Sequence, residues 1–180
     1  HLAAGSTEEW FYHLGAYFYD ENPQRQMAFR EWLRTRYDGN SSLLREAWDD
    51  ETVDFSNAKT ADISGKYRKM AWRDPAREQQ VLDTYEFHTE TMSDLIARYC
   101  RIVKEESRDR LLTGAFFGYH FFVTDPRRGH GSLEKLLRCP DLDYLSSPNA
   151  YHRVMGEDWP PMAATASVRL HGKLWLAEND

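Results

Sequence analysis

Long apolar runs are missing from this sequence: none approaches the ~20 residues a membrane helix needs, and the opening residues from His1 to Trp10 contain no basic-then-apolar leader. A leader already removed would leave no trace, so export stays open and the cytoplasm is only slightly favoured. A basic excess is also lacking. Twenty-three Lys and Arg stand against 29 Asp and Glu, for a net charge of -6, and the only dense basic cluster is Arg127-Arg128. That excludes the basic stripe with which nucleic-acid binders meet phosphates. Cysteine is scarce, with Cys100 and Cys139 the only two. So few thiols cannot build a disulfide scaffold, and they are expected to be free and buried. No G-x-S-x-G run is present to expose a serine nucleophile. Glycine and proline, at ten and seven, are not enriched, and aliphatic and aromatic residues occur throughout, so wholesale disorder is excluded as well.

What the chain does have is 180 residues that are 41% hydrophobic and 14% aromatic, enough for one domain with a core. It opens without Met on a short apolar stub that reads as a strand entering a loop, so a piece of a longer chain is expected. An aromatic-rich stretch follows as far as Asp20. Asn22-Pro23 reads as a helix start, and Met27, Phe29, Trp32, Leu33 and Tyr37 recur at helical spacing until Asp38-Gly39-Asn40 ends the run. Ser41 or Ser42 is placed to cap a second short helix from Leu43 to Trp48. From Asp49 to Pro75 there is no clean period, and Asp49-Asp50-Glu51 reads as a solvated charge run. The longest helix is predicted from Ala76 to Glu106, on a broad face of Val81, Leu82, Tyr85, Met92, Leu95, Ile96, Tyr99, Ile102 and Val103.

Beyond it, Leu111 to Gly118 is a continuous apolar run of the kind that forms a strand buried on both faces. Gly129 to Arg138 reads as a short helix and Asp143 to Ser147 as a second strand. A last apolar stretch, Val168 to Leu170 and then Lys173 to Ala177, stops at Glu178-Asn179-Asp180. Strands alternating with helices predict an α/β fold with a parallel sheet. In such folds the reactive groups gather where strands run out at their carboxyl ends. Four places qualify: Glu8-Glu9-Trp10, Tyr119-His120, Asp143 to Tyr151, and Glu178-Asn179-Asp180. Two of them offer a glutamate beside aromatic rings. Glycoside hydrolysis needs two such carboxyl groups converging from different strands, and sugars present flat C–H faces that stack on aromatic rings.

These residues resemble a known family. Residues 1–10, His-Leu-Ala-Ala-Gly-Ser-Thr-Glu-Glu-Trp, are similar to the end of the fourth barrel strand in clan-A glycoside hydrolases, where an acid/base Glu follows an Asn. The run from Phe29 to Tyr37, with Leu43-Leu44-Arg45-Glu46-Ala47-Trp48 after it, resembles the FRxWLxxxYG…LxxAW stretch of glycoside hydrolase family 42, the β-galactosidases. Trp175-Leu176-Ala177-Glu178 is similar to a seventh strand ending in the nucleophile. The resemblance implies a partial (β/α)8 TIM barrel covering strands four to seven, as one domain over residues 1–180. An eight-stranded barrel needs ~250 residues, so the remaining strands are the first partner expected, and the apolar inner face should stay open without them.

The same resemblance implies Glu9 as acid/base and Glu178 as nucleophile of a retaining hydrolase acting on β-galactosides, with Glu8, Trp10, Tyr119, His120, Tyr151 and Trp175 as substrate contacts. No cofactor and no metal are called for, no nucleic-acid or membrane partner is expected, and a homo-oligomer is compatible with it. Glu8 stands where the family has Asn, which marks a divergent branch. It also motivates the rival expectation of a carbohydrate-binding or sensing protein that keeps the barrel without catalysis. Ser147, His152 and Asp143 could be assembled into a triad on paper, His120 and His130 read as packed histidines, and His171 and Lys173 read as structural.

Overall fold

The computed structural model describes residues 22–62, 73–119, 129–151 and 154–178. Their elements, in chain order, are α1 (Pro23–Arg36), α2 (Ser41–Trp48), α3 (Pro75–Ser107), β1 (Gly114–Phe116), α4 (Leu133–Leu137), β2 (Tyr144–Pro148), α5 (Thr165–Leu170) and β3 (Leu174–Glu178). They fall into two compact units, residues 22–88 and residues 89–178, with the boundary inside α3. No helix among the described residues is long and apolar enough to cross a membrane.

The first unit is helical. Asn22 caps α1 by accepting from the backbone of Gln24 and Arg25, and Pro23 at the first helical position brings its φ already set. The cap of α2 is Asn40, whose side chain accepts from Ser42 N at 3.0 Å. The serines expected to cap lie inside the helix, because asparagine one residue earlier already supplies the acceptor. Phe29, Leu33, Leu44, Val53, Phe55, Ala58 and Phe87 form the core, with Trp32, Tyr37 and Trp48 packed against it. Met27, assigned to the apolar face from spacing, is exposed, while Gln26 is buried. Gln26 trades two hydrogen bonds with Thr60, donating to its hydroxyl at 2.7 Å and accepting from its backbone at 3.1 Å.

Residues 49–62 carry no helix or strand, yet they are tied down. Arg30 donates to Ala58 O, Arg45 to Val53 O and Asn57 to Thr52 O, each within 3.0 Å, and Ala61 N donates to the Thr84 hydroxyl. Side chains thus satisfy a backbone that has no ladder of its own. Asp49, Asp50 and Glu51 are solvent-exposed, as expected of a charge run.

The second unit holds a three-stranded parallel sheet in the order β1-β2-β3. Gly114, Tyr144 and Leu174 share one row of the register, and Phe116, Ser146 and Leu176 another, so each strand follows the last after thirty residues. Phe117, Leu145, Val168, Leu136, Leu137, Ile96 and Cys100 form the core between one sheet face and the helices, with Ala115 and Trp175 packed against it. Side chains alternate along a strand, which turns Phe116, Tyr144, Ser146, Leu174, Leu176 and Glu178 to the other face. There Leu174 and Leu176 are 53% and 47% exposed.

One strand expectation needs correction, and one apolar stretch resolves into two elements. Leu111 and Leu112 lie before β1 and are exposed, since Thr113 is held by Asp143 and pairing begins only at Gly114. Val168 to Leu170 belong to helix α5 rather than to an extended run. Val168 is buried on the helix side of the sheet, where a single helical turn suffices to cover Leu145.

Candidate functional site

The amino ends of the strands are tied by charge. Asp143, just ahead of β2, accepts from Lys104 Nζ at 2.6 Å and from Thr113 N at 2.7 Å, while its own backbone pairs with Thr113 and Leu174. Desolvation raises the Asp143 carboxyl, but the hydrogen bonds from Lys104 and Thr113 outweigh it and hold the group below the usual aspartate range. The same hydrogen bond raises Lys104. Lys173 Nζ donates to the carbonyls of Cys139 and Leu142 at 2.6 and 2.7 Å. These bonds tie the start of β3 to the turn before β2. In parallel α/β folds this end of the sheet serves stability.

The carboxyl ends carry different residues. Glu178 is the last residue of β3 and pairs in register with Pro148, the last of β2. β1 pairs with β2 only as far as Phe116 and Ser146, followed by the Phe117 N to Ser146 O bond at 2.9 Å. The Ser146 hydroxyl donates to Leu176 O at 2.8 Å and fixes β2 against β3 just before Glu178. Gly118 is required here because a Cβ would come within 2.6 Å of the Ser147 side chain and 3.0 Å of Ala163. Glu178 therefore lies in the last row of the register, at the end of edge strand β3, on the side away from the helical core.

Other expected contacts sort onto different surfaces. Tyr119 is buried, with its ring edge-on to His130 at 5.5 Å, and His130 also packs against Phe117 at 4.8 Å. Trp175 is packed into the helix-side core. Tyr151 is exposed, in the loop after β2. Glu8, Glu9, Trp10 and His120 lie outside the described residues. The paper triad does not assemble: Asp143 and Ser147 lie four residues apart on one extended segment, ~13 Å at ~3.3 Å per residue, and Asp143 is engaged by Lys104.

Among the described residues no group of three His, Cys, Asp or Glu is arranged to hold a metal ion. Cys100 and Cys139 are free and buried. Burial is the first cause that pushes the Cys100 thiol up, which leaves it protonated and unsuited to nucleophilic attack at neutral pH.

Trp159 was not singled out from the sequence. It is exposed in the same loop as Tyr151, and only the loop's position after β2 gives it interest. A tryptophan outside any periodic pattern was the one signal available. Comparison with protein families, with curated proteins and with solved structures finds no match to this chain.

Proposed function

We propose that this chain carries the nucleophile half of a retaining β-glycosidase site on a sector of a (β/α)8 barrel. What supports the reading is one observation: three parallel strands are neighbours in sheet order as in sequence, and the last two end at a row that pairs Pro148 with Glu178. A doubly wound sheet reverses its strand order beside the ligand site, whereas a barrel keeps neighbours in sequence all the way round. The second support is facing. Glu178 shares a face with Leu174 and Leu176, opposite the helical core, and that is the face a barrel turns inward.

The chemistry needs two carboxyl groups. Glu178, ionised, attacks the anomeric carbon while the bond from that carbon to the leaving oxygen breaks, and Glu9 passes its proton to that oxygen. Water then adds to the glycosyl ester, giving its proton to Glu9 and releasing Glu178. Retention asks for carboxyl groups ~5–5.5 Å apart, against ~6.5–9.5 Å for inversion. Glu8, Trp10, His120 and Tyr151 complete the substrate contacts in this reading. Tyr119 and Trp175, packed on the helix side, are not needed for it.

The test is covalent trapping in the full-length protein with 2-deoxy-2-fluoro-β-galactosyl fluoride, followed by peptide mass mapping. A fluorosugar ester on the peptide containing Glu178, absent from Glu178→Gln, is the expected result. An ester on another residue removes Glu178 from the role. Hydrolysis with no trapped ester points instead to inversion. A second reading, a sugar-binding protein without turnover, is favoured by Glu8 at the position of the usual Asn; it predicts binding that Glu9→Gln leaves unchanged and no ester at all.

A further inference from the structure

β3 carries Glu178 at an edge of the sheet, with β2 as its one partner among the described strands. An edge strand is held less firmly than a central one, because half of its backbone groups face away from the ladder. Side chains add little. Trp175 is the β3 residue packed against the helix-side core, whereas Leu176 and Ala177 are exposed. Between Trp175 and Glu178, then, no buried side chain of β3 anchors the strand.

Ser146 supplies a hold from the neighbouring strand. It is the middle residue of the row Phe116, Ser146 and Leu176. Its backbone carbonyl faces β1 and accepts from Phe117 N at 2.9 Å. Its hydroxyl turns the other way and donates to Leu176 O at 2.8 Å. One residue of the central strand therefore grips both of its neighbours. Ser146 is only 8% exposed, and a buried hydroxyl keeps the partner it has because water offers no replacement. A carbonyl oxygen has two lone pairs, so Leu176 O can take this bond on top of the ladder. Ser147, the next residue along β2, is also buried, but its hydroxyl reaches only the carbonyl of adjacent Pro148, at 3.2 Å. That bond ties nothing to β3.

The point that Ser146 holds lies two residues before Glu178, on the same face of β3 and ~7 Å along the strand. A nucleophile attacks from ~3–3.5 Å, and ~1 Å of misplacement can cost ~100-fold in rate. We propose that Ser146 is a positioning residue for Glu178, acting through the β3 backbone to hold the strand end where the carboxylate meets the anomeric carbon. This inference rests on the hydrolase reading of Glu178. The experiment follows ester formation in the full-length protein against the concentration of 2-deoxy-2-fluoro-β-galactosyl fluoride. Ser146→Ala removes the hydroxyl and leaves every backbone bond in place. It should lower the limiting rate roughly tenfold while the half-saturating concentration stays within about twofold. Ser146→Thr, which keeps the hydroxyl on a residue suited to strands, should recover most of the rate. Ser147→Ala should match the wild type.

A limiting rate in Ser146→Ala within about twofold of the wild type overturns the positioning role. A loss that Ser147→Ala shares, or that Ser146→Thr does not recover, overturns it as well, since the cause is then packing rather than the bond to Leu176. The two readings fail differently. A wild-type protein that forms no ester on Glu178 sinks the hydrolase reading, and the role of Ser146 falls with it. An ester on Glu178 that forms as fast in Ser146→Ala as in the wild type sinks the role of Ser146 alone.

Discussion

Asp83 shows how much one side chain can organise without catalysing anything. Its carboxylate is fully buried and ion-paired with Arg36 at 3.0 Å. Oδ2 accepts from the Tyr37 hydroxyl and from Trp48 Nε1, both at 2.7 Å, while Oδ1 faces Arg36 and accepts from Gln79 at 2.8 Å. One anion thus joins α1, α2 and α3. Burial first, and then the bond to Asp83, raise the Tyr37 hydroxyl, so it remains a donor across the physiological range. Arg36, Gln79 and Trp48 can only donate, so Asp83→Asn turns its amide NH2 against at least one donor in either orientation. We expect a loss of about 3–5 kcal/mol, as when one member of a buried ion pair is removed. Urea unfolding of the two proteins measures it; a change under 1 kcal/mol would mean that the cluster is as dispensable as a surface pair.

Asp143 gives the corresponding pH argument. Its carboxyl is held low in the folded chain, whereas an unfolded aspartate titrates near ~3.9. A depressed folded value means that the stabilisation is fully present above that pH and is lost as pH falls through the lower folded value. Asp143→Asn should therefore cost about 1–3 kcal/mol at pH 7 and progressively less below ~4. Thermal melts across pH 2–7 check this. Curves that stay parallel down to the lowest pH would show that Asp143 contributes no linkage.

At the scale of elements, the helices before β2 were legible, whereas α5 and the strand limits were not. Asn22-Pro23 and the Phe29–Leu33 spacing are local signals, so the structure begins and faces α1 as the sequence indicated. The long helix also matched within a residue at each end, Pro75 to Ser107 against Ala76 to Glu106. Its buried Asp83, Thr84, His88, Thr89 and Ser93 were not visible, because a polar residue inside a helix is buried only when distant partners meet it. The apolar run before Gly118 gave a strand of the right place and too great a length, since pairing depends on β2 rather than on composition. Glu178 at a strand end was legible; the face it occupies needed the register.

Gly114 is where that register makes its strongest demand. A Cβ there would lie 2.5 Å from the Tyr144 ring, its partner in the same row. The close approach lets an aromatic ring lie across β1, and it involves ring atoms near the backbone rather than a mobile tip. Gly114→Ala should destabilise the second unit by about 1–3 kcal/mol, the usual cost of overpacking. In a Tyr144→Ala background the same change should cost nearly nothing, giving a coupling of similar size in a double-mutant cycle. Additive effects of the two substitutions would place the constraint in the backbone instead of in the ring.

For the molecule as a whole, the described helices pack on one face of the sheet, while on the other Ser146 and Pro148 of central β2 are buried and residues of edge strand β3 are exposed. Leu145 and Phe117 are fully buried against helices, yet Leu174 and Leu176 on the opposite face stand about half exposed. A barrel sector must have this asymmetry, because its inner residues wait for strands from the other side of the barrel. A free-standing three-layer domain would cover both faces. In isolation these 180 residues should therefore bind a hydrophobic dye and self-associate through the exposed part of that face. Leu174→Lys with Leu176→Glu should suppress both behaviours with little change in melting temperature, since neither leucine packs in the helix-side core. If the double variant unfolds the chain instead, that face is a core in its own right, and the barrel-sector reading loses its main physical support.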